Sequence, residues 1–354
     1  MPKMDAAQKA ARIDSLQCEL TQLIAAVRTE ADEKKKRRML AKIGNLHRQI
    51  DKLRANRIVS RETKRDLVAY SFIAPNFIGF CVFTLIPIVF AFCLAFMKWD
   101  GSNPVQWAGI SNFTRLADDI FFKAALKNTI IYCVGTVPLT MIASLALAIV
   151  LNQKVKGRGI FRTLAFFPYV ASLVAITSVW KMLFHPSKGP VNNLLYNVFG
   201  VAQENLPQWF TGGLVLVSMI LFSVWKYMGY YMVIYLAGLQ GISSELYEAA
   251  SLDGAGTWAK FRYVTWPQLS STTFFVVVML TINCFKVYDI AIMLAGGGSG
   301  ELTTSSTVLV YYIYQKAFID WDLGYSSAVA MVLFLMVLVV TIIQFRGQAK
   351  RERA

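Results

Sequence analysis

Charge is what this sequence has least of. Only 16% of its 354 residues are Asp, Glu, Lys or Arg, while 56% are hydrophobic, a balance that excludes an ordinary soluble domain of this length and points to a membrane protein. Cysteine is sparse too. Cys18, Cys81, Cys93, Cys133 and Cys284 form no C-x-x-C pair and mostly lie in apolar stretches, so they read as small buried hydrophobes, not as a disulfide framework or zinc site. The two histidines, His47 and His185, are too few for a metal cluster, and neither sits at the centre of an apolar stretch, where an intramembrane hydrolase would need one. No G-x-x-x-x-G-K-S/T occurs, so no nucleotide cradle is expected. The glycine-rich "AGGGSGELTTSS" at 295–306 lacks that signature and reads as a flexible external loop. A secretory signal peptide is missing as well, because the first 66 residues are polar and the first apolar run is much longer than a signal-peptide core. Acid is scarcer than base, 21 residues against 36, for a net charge of +15. Such an excess fits nucleic acid, anionic lipid or membrane topology, and its distribution decides among them.

What the chain does have is long uncharged runs. A helix needs about 20 apolar residues to cross a bilayer. Residues 67–97, 128–153, 163–180, 263–285 and 323–345 carry no charge, and 213–236 carries only Lys226. The runs are continuous and not alternating, which excludes a strand barrel. The expected architecture is an all-α membrane protein with six transmembrane helices at about 67–97, 128–151, 163–184, 213–236, 271–294 and 323–345. Lys and Arg in short loops mark the cytoplasmic side. The first 66 residues hold 17 of them against 9 acids, the loop 154–162 holds four and no acid, and the tail after Phe345 holds four more. Both termini are thereby placed inside. The loop 98–127, with four basic and three acidic residues, falls outside and runs against the rule. Positive charge here is mostly a sidedness signal, and no nucleic-acid partner is expected.

Residues 1–65 read as a separate charged helical appendage. Ile13, Leu16, Leu20, Leu23 and Val27 step by three and four, and Ile43, Leu46, Ile50 and Leu53 resume the rhythm after "EADEKKKRR". The halves are out of phase, since extending the first heptad would put Lys34 and Arg37 in the seam. The pattern predicts an antiparallel helical hairpin, or a long coiled-coil helix with a register break. A basic segment lying near anionic lipid stands beside a specific docking role. Residues 66–354 form the membrane domain. In it, Pro75 and Pro87 lie in or near the first span and Pro138 and Pro168 near the starts of others, where neighbouring helices can satisfy the freed backbone groups. "GISNFTRLADD" predicts a short interfacial helix in the first outer loop, and 185–211, with Pro186, Pro190 and Pro207, forms another.

Between the fourth and fifth runs lies "YEAASLDGAGTWAKFRYVTWPQL". Ser243 or Ser244 can cap a helix there, with Glu245 and Glu248 near its positive end. Leu246, Ala249, Ala250 and Asp253 share one side, where the alanines admit another surface close to the backbone. Gly254 stops the helix, and a second turn runs through Trp258, Phe261 and Val264 to Pro267. On the topology above this element is cytoplasmic. It reads either as a peg for a partner protein or as an interfacial helix on lipid, with Trp258 and Trp266 as anchors. Ionisable residues within spans are costly and face a cavity or a partner. Lys226 shares a face with Ser223 and Tyr230, and Lys286 lies three residues from both Asn283 and Asp289. Two readings follow for Ser223, Lys226, Tyr227, Tyr230, Asn283, Lys286 and Asp289. In one, Asn283, Tyr230 and Tyr227 line a hydroxyl-binding path. In the other, Lys286 and Asp289 neutralise each other within one helix and Lys226 pairs across helices.

The stretch "EAASLDGAGTWAKFRYVTWP" resembles the EAA loop of ABC importer permeases, spanning 243–267 here. Glu248, Ala249, Ala250, Gly254 and Pro267 match its pattern, while Val264 and Trp266 stand where Ile and Leu are usual. "SFIAPNFIGFCVFTLIPIVFAFCLAFMKWDG", "ALKNTIIYCVG", "GRGIFRTLAFFPYVASLVAITSVWKMLFHPSKGPVNNLL" and "LGYSSAVAMVLFLMVLVV" are similar to the sugar-importer branch, the maltose and glycerol-phosphate type permeases. The likeness covers roughly 66–346 and leaves the first 65 residues outside. It implies a type I importer permease fold and a multi-pass subunit of a prokaryotic cell membrane that is not itself an enzyme. The implied partners are a second permease subunit of different sequence, two ATP-binding subunits and an extracytoplasmic sugar-binding protein. No cofactor is held by this chain, ATP being bound by the separate subunits. Glu248 would pair with a basic residue of the ATPase, with Ala249, Ala250, Asp253, Gly254 and Pro267 shaping the docked surface. The cargo implied is a carbohydrate, with glycerol phosphate the alternative solute. An ion-coupled carrier would instead show paired repeats and coupling carboxylates, and Asp289 is the one clear acidic candidate.

Overall fold

The two offset heptads at the start of the chain become two helices. The computed structural model describes residues 6–29, 33–153, 156–295 and 303–352, and it divides into two units, Met1–Ile88 and Val89–Ala354. In the first unit, α1 (Ala6–Thr29) folds back on α2 (Glu33–Phe80), and Ile13 and Leu16 bury themselves against Leu46 and Ile50, flanked by Leu20, Leu23 and Leu53. With Glu19 beside Lys42, and Ile13 and Leu16 in one cluster with Leu46 and Ile50, the two helices run antiparallel. The phase jump in the sequence is therefore the point where the chain reverses. Lys42 and Glu19 pair across the seam at 3.2 Å, but both are exposed, so apolar burial carries most of the contact. α2 runs without a break through residue 65 into the first apolar run, enclosing Pro75. A wide π-type turn over Cys81–Leu85 leads without interruption to α3 (Ile86–Leu94), which contains Pro87 directly after the widened turn.

The second unit begins with a departure from the all-α expectation. β1 (Met97–Lys98) and β2 (Gln106–Trp107) pair antiparallel, Met97 opposite Trp107. Then come α4 (Ser111–Asp118), the short helix expected in this loop, and α5 (Ile120–Asn152). α6 (Arg158–Val170), α7 (Leu173–Leu183) and α8 (Pro190–Asn197) lead to α9 (Val215–Gln240) and α10 (Ser244–Leu252). α11 (Thr257–Lys260), a wide turn at Phe261–Thr265 and α12 (Trp266–Gln268) lead into α13 (Ser270–Phe285) and α14 (Asp289–Ala295). α15 (Leu309–Tyr314) and α16 (Leu323–Glu352) complete the unit. Of the glycine-rich loop expected at 295–306, residues 296–302 lie outside the described residues, and Lys154 of the basic loop does too.

Among the described residues, four helices are long and apolar enough to cross a membrane, at Val68–Leu94, Ile120–Asn152, Gly212–Gln240 and Leu323–Lys350, and the number rises to six if each bent pair is one span. The bent pairs correct two expected straight spans. The run 163–184 turns by 99° between α6 and α7, where Ala171 and Ser172 adopt extended backbone just after Pro168. The run 271–294 is joined to the preceding turn at a 66° bend and ends as a helix at Phe285, not at 294. Uncharged sequence reports that a segment tolerates lipid, not that it is straight.

The core is built on α5 and α9. Tyr132 and Cys133 meet Met219 and Phe222 in one cluster with Cys284 and Leu294, while Leu145, Ala148 and Leu151 meet Tyr235 and Leu239 in a second with Leu269 and Leu280. Tyr312 and Tyr325 centre a third, with Leu116 and Phe122. α6 approaches α9 so closely at Gly229 that a Cβ there would lie 1.8 Å from the carbonyl oxygen of Ala165.

Candidate functional site

α10 combines hydrophobic side chains with open exposure on nearly every side. Ser243 caps it by accepting from the backbone N–H of Glu245 at 3.3 Å. It ends where Gly254 takes φ of 76°, a left-handed value that suits glycine. The N–H of Gly254 then donates to Ser251 at 3.1 Å and that of Ala255 to Ala250 at 2.9 Å, satisfying carbonyls the helix would leave open. None of its residues is buried. Glu248, Ala249, Asp253, Gly254 and Pro267 are exposed and Ala250 is half-buried. Leu252 is 89% exposed, and Trp258 and Tyr263 beyond it are 74% and 76% exposed.

Exposed as it is, α10 is braced. The Tyr247 and Thr265 hydroxyls meet at 3.0 Å, and Lys260 Nζ donates to Ser251 Oγ at 2.8 Å. These two contacts tie α10 to the segment that leads into α13, while Gly241 joins it directly to the end of α9. α10 is thereby joined at both ends to long helices. Its outer face carries Glu245, Glu248 and Asp253 beside uncovered Leu252, a surface complementary to a basic, apolar partner.

The polar residues of the spans separate into distinct surroundings. Ser223 is fully buried, joined to Tyr132 at 2.7 Å and donating to the Met219 carbonyl at 2.7 Å, so it fastens α9 to α5. Lys226 points instead at the end of α6, donating to the carbonyls of Pro168 and Tyr169 at 3.4 Å each. An ammonium beside the open carbonyls of a helix C-terminus offsets the negative end of its dipole. The Lys226 ammonium also lies 5.8 Å from the Tyr169 ring centre and 5.9 Å from that of Tyr227. Tyr230 stacks on Tyr169 at 4.4 Å and meets Tyr231 edge-on at 5.0 Å, and Asn283 Nδ2 donates to the Tyr231 hydroxyl at 3.1 Å. Lys226, Tyr227, Tyr230 and Asn283 thus belong to one connected strip of aromatic faces and amide, with Tyr169 and Tyr231 as members the sequence did not single out.

Lys286 and Asp289 do not form the expected intrahelical pair. α13 stops at Phe285, Lys286 turns the chain, and Asp289 opens α14, so both side chains are exposed on separate elements. Among the described residues no ion pair joins them.

A second polar cluster was not visible beforehand. Asp119 caps α5, accepting from the N–H groups of Phe121 and Phe122 at 2.8 and 3.1 Å, and also accepts from the hydroxyls of Tyr312 and Tyr325. Partial burial opposes its ionisation, but these four donors outweigh that and hold the carboxyl below its ordinary value. Arg115 lies over the Tyr325 ring at 4.3 Å and pairs with Asp322 at 3.0 Å. Asn128 donates to the carbonyls of Thr304 and Thr307 at 2.9 Å each, pinning the chain before α15 onto α5. These partners lie about two hundred residues apart, so no local pattern announces them.

With the geometry described, the chain can be set beside known proteins. Residues 141–351 match the family described as "Binding-protein-dependent transport system inner membrane component". A probable ABC transporter permease protein of Bacillus subtilis, YesP, is 36% identical over 81% of this chain and 92% of its own length. The lactose transport system permease protein LacF of Rhizobium radiobacter is 34% identical over 81% of this chain and 95% of its own. The crystal structure of a bacterial alginate ABC transporter, in complex with its alginate pentasaccharide-bound periplasmic protein, contains a chain that superposes with a TM-score of 0.70 at 23% identity, covering 80% of this chain and 94% of that one, a likeness of fold alone. On the match of its own residues and the identity of its relatives, the chain belongs to the family of inner-membrane components of binding-protein-dependent transport systems.

Proposed function

We propose that this protein is a membrane-spanning subunit of an ATP-driven carbohydrate importer, forming half of the translocation pathway and receiving the motion of a separate ATPase through α10. The observation that carries the reading is α10 itself: a capped, braced, acidic helix with no buried residue, hung between α9 and the segment entering α13. In water an uncovered leucine and tryptophan on so short an element favour a protein surface that covers them. Glu248 meets a basic group of that surface, Ala249 and Ala250 let its backbone come close, and Gly254 and Pro267 hold the two ends of the element. The chain contributes six spans, each bent helix pair counting as one, with both termini in the cytoplasm.

The carbohydrate assignment leans on the lactose permease relative and on the chemistry of the strip around Lys226. Tyr169, Tyr227 and Tyr230 offer ring faces, and Asn283 offers a planar amide, the groups that suit sugar C–H faces and hydroxyls. Lys226 orders the end of α6 instead of carrying the cargo, and Ser223 is a helix fastener. The second permease subunit, two ATP-binding subunits and an external sugar-binding protein complete the machine, and nucleotide stays on the ATPase because this chain has no phosphate-binding loop.

Purification of the tagged protein from its native membrane, followed by reconstitution and uptake assays, tests the proposal. An ATP-hydrolysing subunit should co-purify, and sugar uptake should stop when ATP is withdrawn. Uptake that survives ATP depletion but collapses with an ion gradient would assign an ion-coupled carrier, and uptake of glycerol phosphate in place of sugar would change the cargo.

A further inference from the structure

Where β1 ends and α16 begins, the second unit has an open cleft of about 530 Å³ whose walls include Trp99, Asp100, Asn103, Gln106 and Trp321. α5 separates this cleft from α10. Asp119, at the α5 N-terminus, belongs with Tyr325 of α16, whereas Leu151 near the other end packs with Leu239 just before α10. On the proposed topology the cleft therefore opens to the extracytoplasmic side.

Trp321 is the residue in need of explanation. It has φ of 54°, the one positive value found at a non-glycine residue among the described residues, and its side chain is 58% exposed. A bulky residue in left-handed backbone is a true outlier, and such strain gathers at functional sites. Burial does not offset it, because most of the residue faces solvent. The surroundings nevertheless hold the indole in place. The N–H of Asp320 donates to the Gln315 carbonyl at 3.0 Å and that of Asp322 to the Lys316 carbonyl at 2.9 Å, fixing the backbone on both sides, and the N–H of Leu323 donates to the Trp99 carbonyl at 3.0 Å. The ring lies against Gly101, where even a Cβ would sit 3.7 Å from it. The turn beneath is pinned by Asp100, which accepts from the N–H groups of Ser102 and Asn103 at 3.0 and 2.8 Å.

Charge narrows the ligand. Asp320 pairs with Lys316 at 2.7 Å and Asp322 with Arg115 at 3.0 Å, and Lys98 shares the cleft with Asp100. Two of the three acids are thus paired with bases, and Asp100, which also accepts from the Asn103 side-chain amide at 2.5 Å, has Lys98 in the same cleft, so neither an anion nor a cation is favoured. What the cleft offers is an indole face beside carboxylate and amide oxygens that retain acceptor capacity. That combination suits a neutral saccharide, with ring C–H groups on the indole and hydroxyls toward the rim, and the volume falls in the range of small-molecule sites.

We propose that this cleft is a saccharide-binding subsite at the outer mouth of the permease, with Trp321 as the stacking platform and Asp100 and Gln106 as hydroxyl partners. It rests on the carbohydrate-import reading and adds a place where sugar meets this chain before entering the membrane. The test uses the full-length protein in its assembled complex, in nanodiscs without the external binding protein, with lactose and arabinotriose as probes in saturation-transfer NMR. At least one probe should receive saturation, and Trp321→Gly, which also relieves the strained backbone, should weaken its binding about tenfold or more, while Trp321→Phe keeps most of it. Gln106→Ala should weaken it without changing the melting temperature. Absence of signal from both probes in the wild type, or equal affinity in Trp321→Gly, overturns the subsite. So does a variant that keeps its saccharide signal but no longer engages the external binding protein, since that result assigns the face to protein docking. Uptake of the same sugars is measured in parallel. Wild-type uptake with unchanged saccharide binding in Trp321→Gly defeats the subsite alone, whereas absence of any carbohydrate uptake defeats the import reading beneath it.

Discussion

Replacing Gly229 with alanine would put a methyl group where the backbone of α6 already lies. The new Cβ would sit 1.8 Å from the Ala165 carbonyl oxygen and 2.9 Å from Phe166 Cα. Relief to an ordinary contact requires α6 and α9 to part by roughly 1.5 Å. The Pro168 and Tyr169 carbonyls, now 3.4 Å from Lys226 Nζ, would then fall outside hydrogen-bond range, and the 4.4 Å stack of Tyr230 on Tyr169 would open. Overpacking costs about 1–3 kcal/mol, and losing hydrogen bonds from a charged donor adds about 1.5–3 kcal/mol. The better helix propensity of alanine returns about 1 kcal/mol. The net destabilisation is about 1.5–5 kcal/mol, a large part of the roughly 5–15 kcal/mol that holds a typical domain together. Thermal unfolding of the purified protein, followed by near-ultraviolet circular dichroism, reads it directly. Gly347→Ala is the control, because nothing lies within 4 Å of a Cβ at that position. Gly229→Ala should melt well below the wild type and Gly347→Ala at or slightly above it. Equal melting of the two variants would refute the close packing of α6 on α9.

Other perturbations probe separate parts of the account. Lys226→Met should lower stability by about 1.5–3 kcal/mol by leaving the end of α6 without its donor, and Lys226→Arg should recover much of the loss; wild-type melting in Lys226→Met would contradict the assignment. Asp119 has a folded value below its ordinary 3.8, so its contribution is complete above that value and fades as pH falls through the lower folded one. Asp119→Asn should therefore flatten the acid limb of the stability profile below about pH 4, and an unchanged limb would count against the four-donor cluster. Glu248→Lys and Gly254→Asp should abolish uptake while leaving the amount of protein in the membrane unchanged, as measured by immunoblotting of membrane fractions; normal transport by both would remove α10 from the coupling path.

Much of this molecule is written in local pattern. The apolar runs mark the long helices, the heptad jump near Lys34 marks a chain reversal, and Ser243 and Gly254 mark both ends of α10, because caps and reversals depend on neighbours in sequence. The bends between α6 and α7 and before α13 left a weaker trace. Pro168 and Pro267 lie close to them but are not read as bends in the sequence, and hydropathy measures solvent preference and is blind to direction. The spacing of Lys286 and Asp289 suited a helix pair only while the helix continued, and it stops one residue before Lys286. The Asp119 cluster and the cleft at Trp321 depend on contacts between distant segments, and the strain at Trp321 is a backbone property that a tryptophan in sequence gives no reason to expect.

The central claim is that force from a separate ATPase enters this chain through α10. Ala249→Cys places a thiol on the exposed face of that helix, and a short bifunctional thiol reagent applied to the assembled complex tests what it touches. A cross-link from Cys at 249 to the ATP-hydrolysing subunit, with a yield that changes between nucleotide-free and ATP-bound states, is the expected result. Labelling of that thiol by an impermeant reagent from outside the cell, or cross-linking to lipid alone, would contradict the claim.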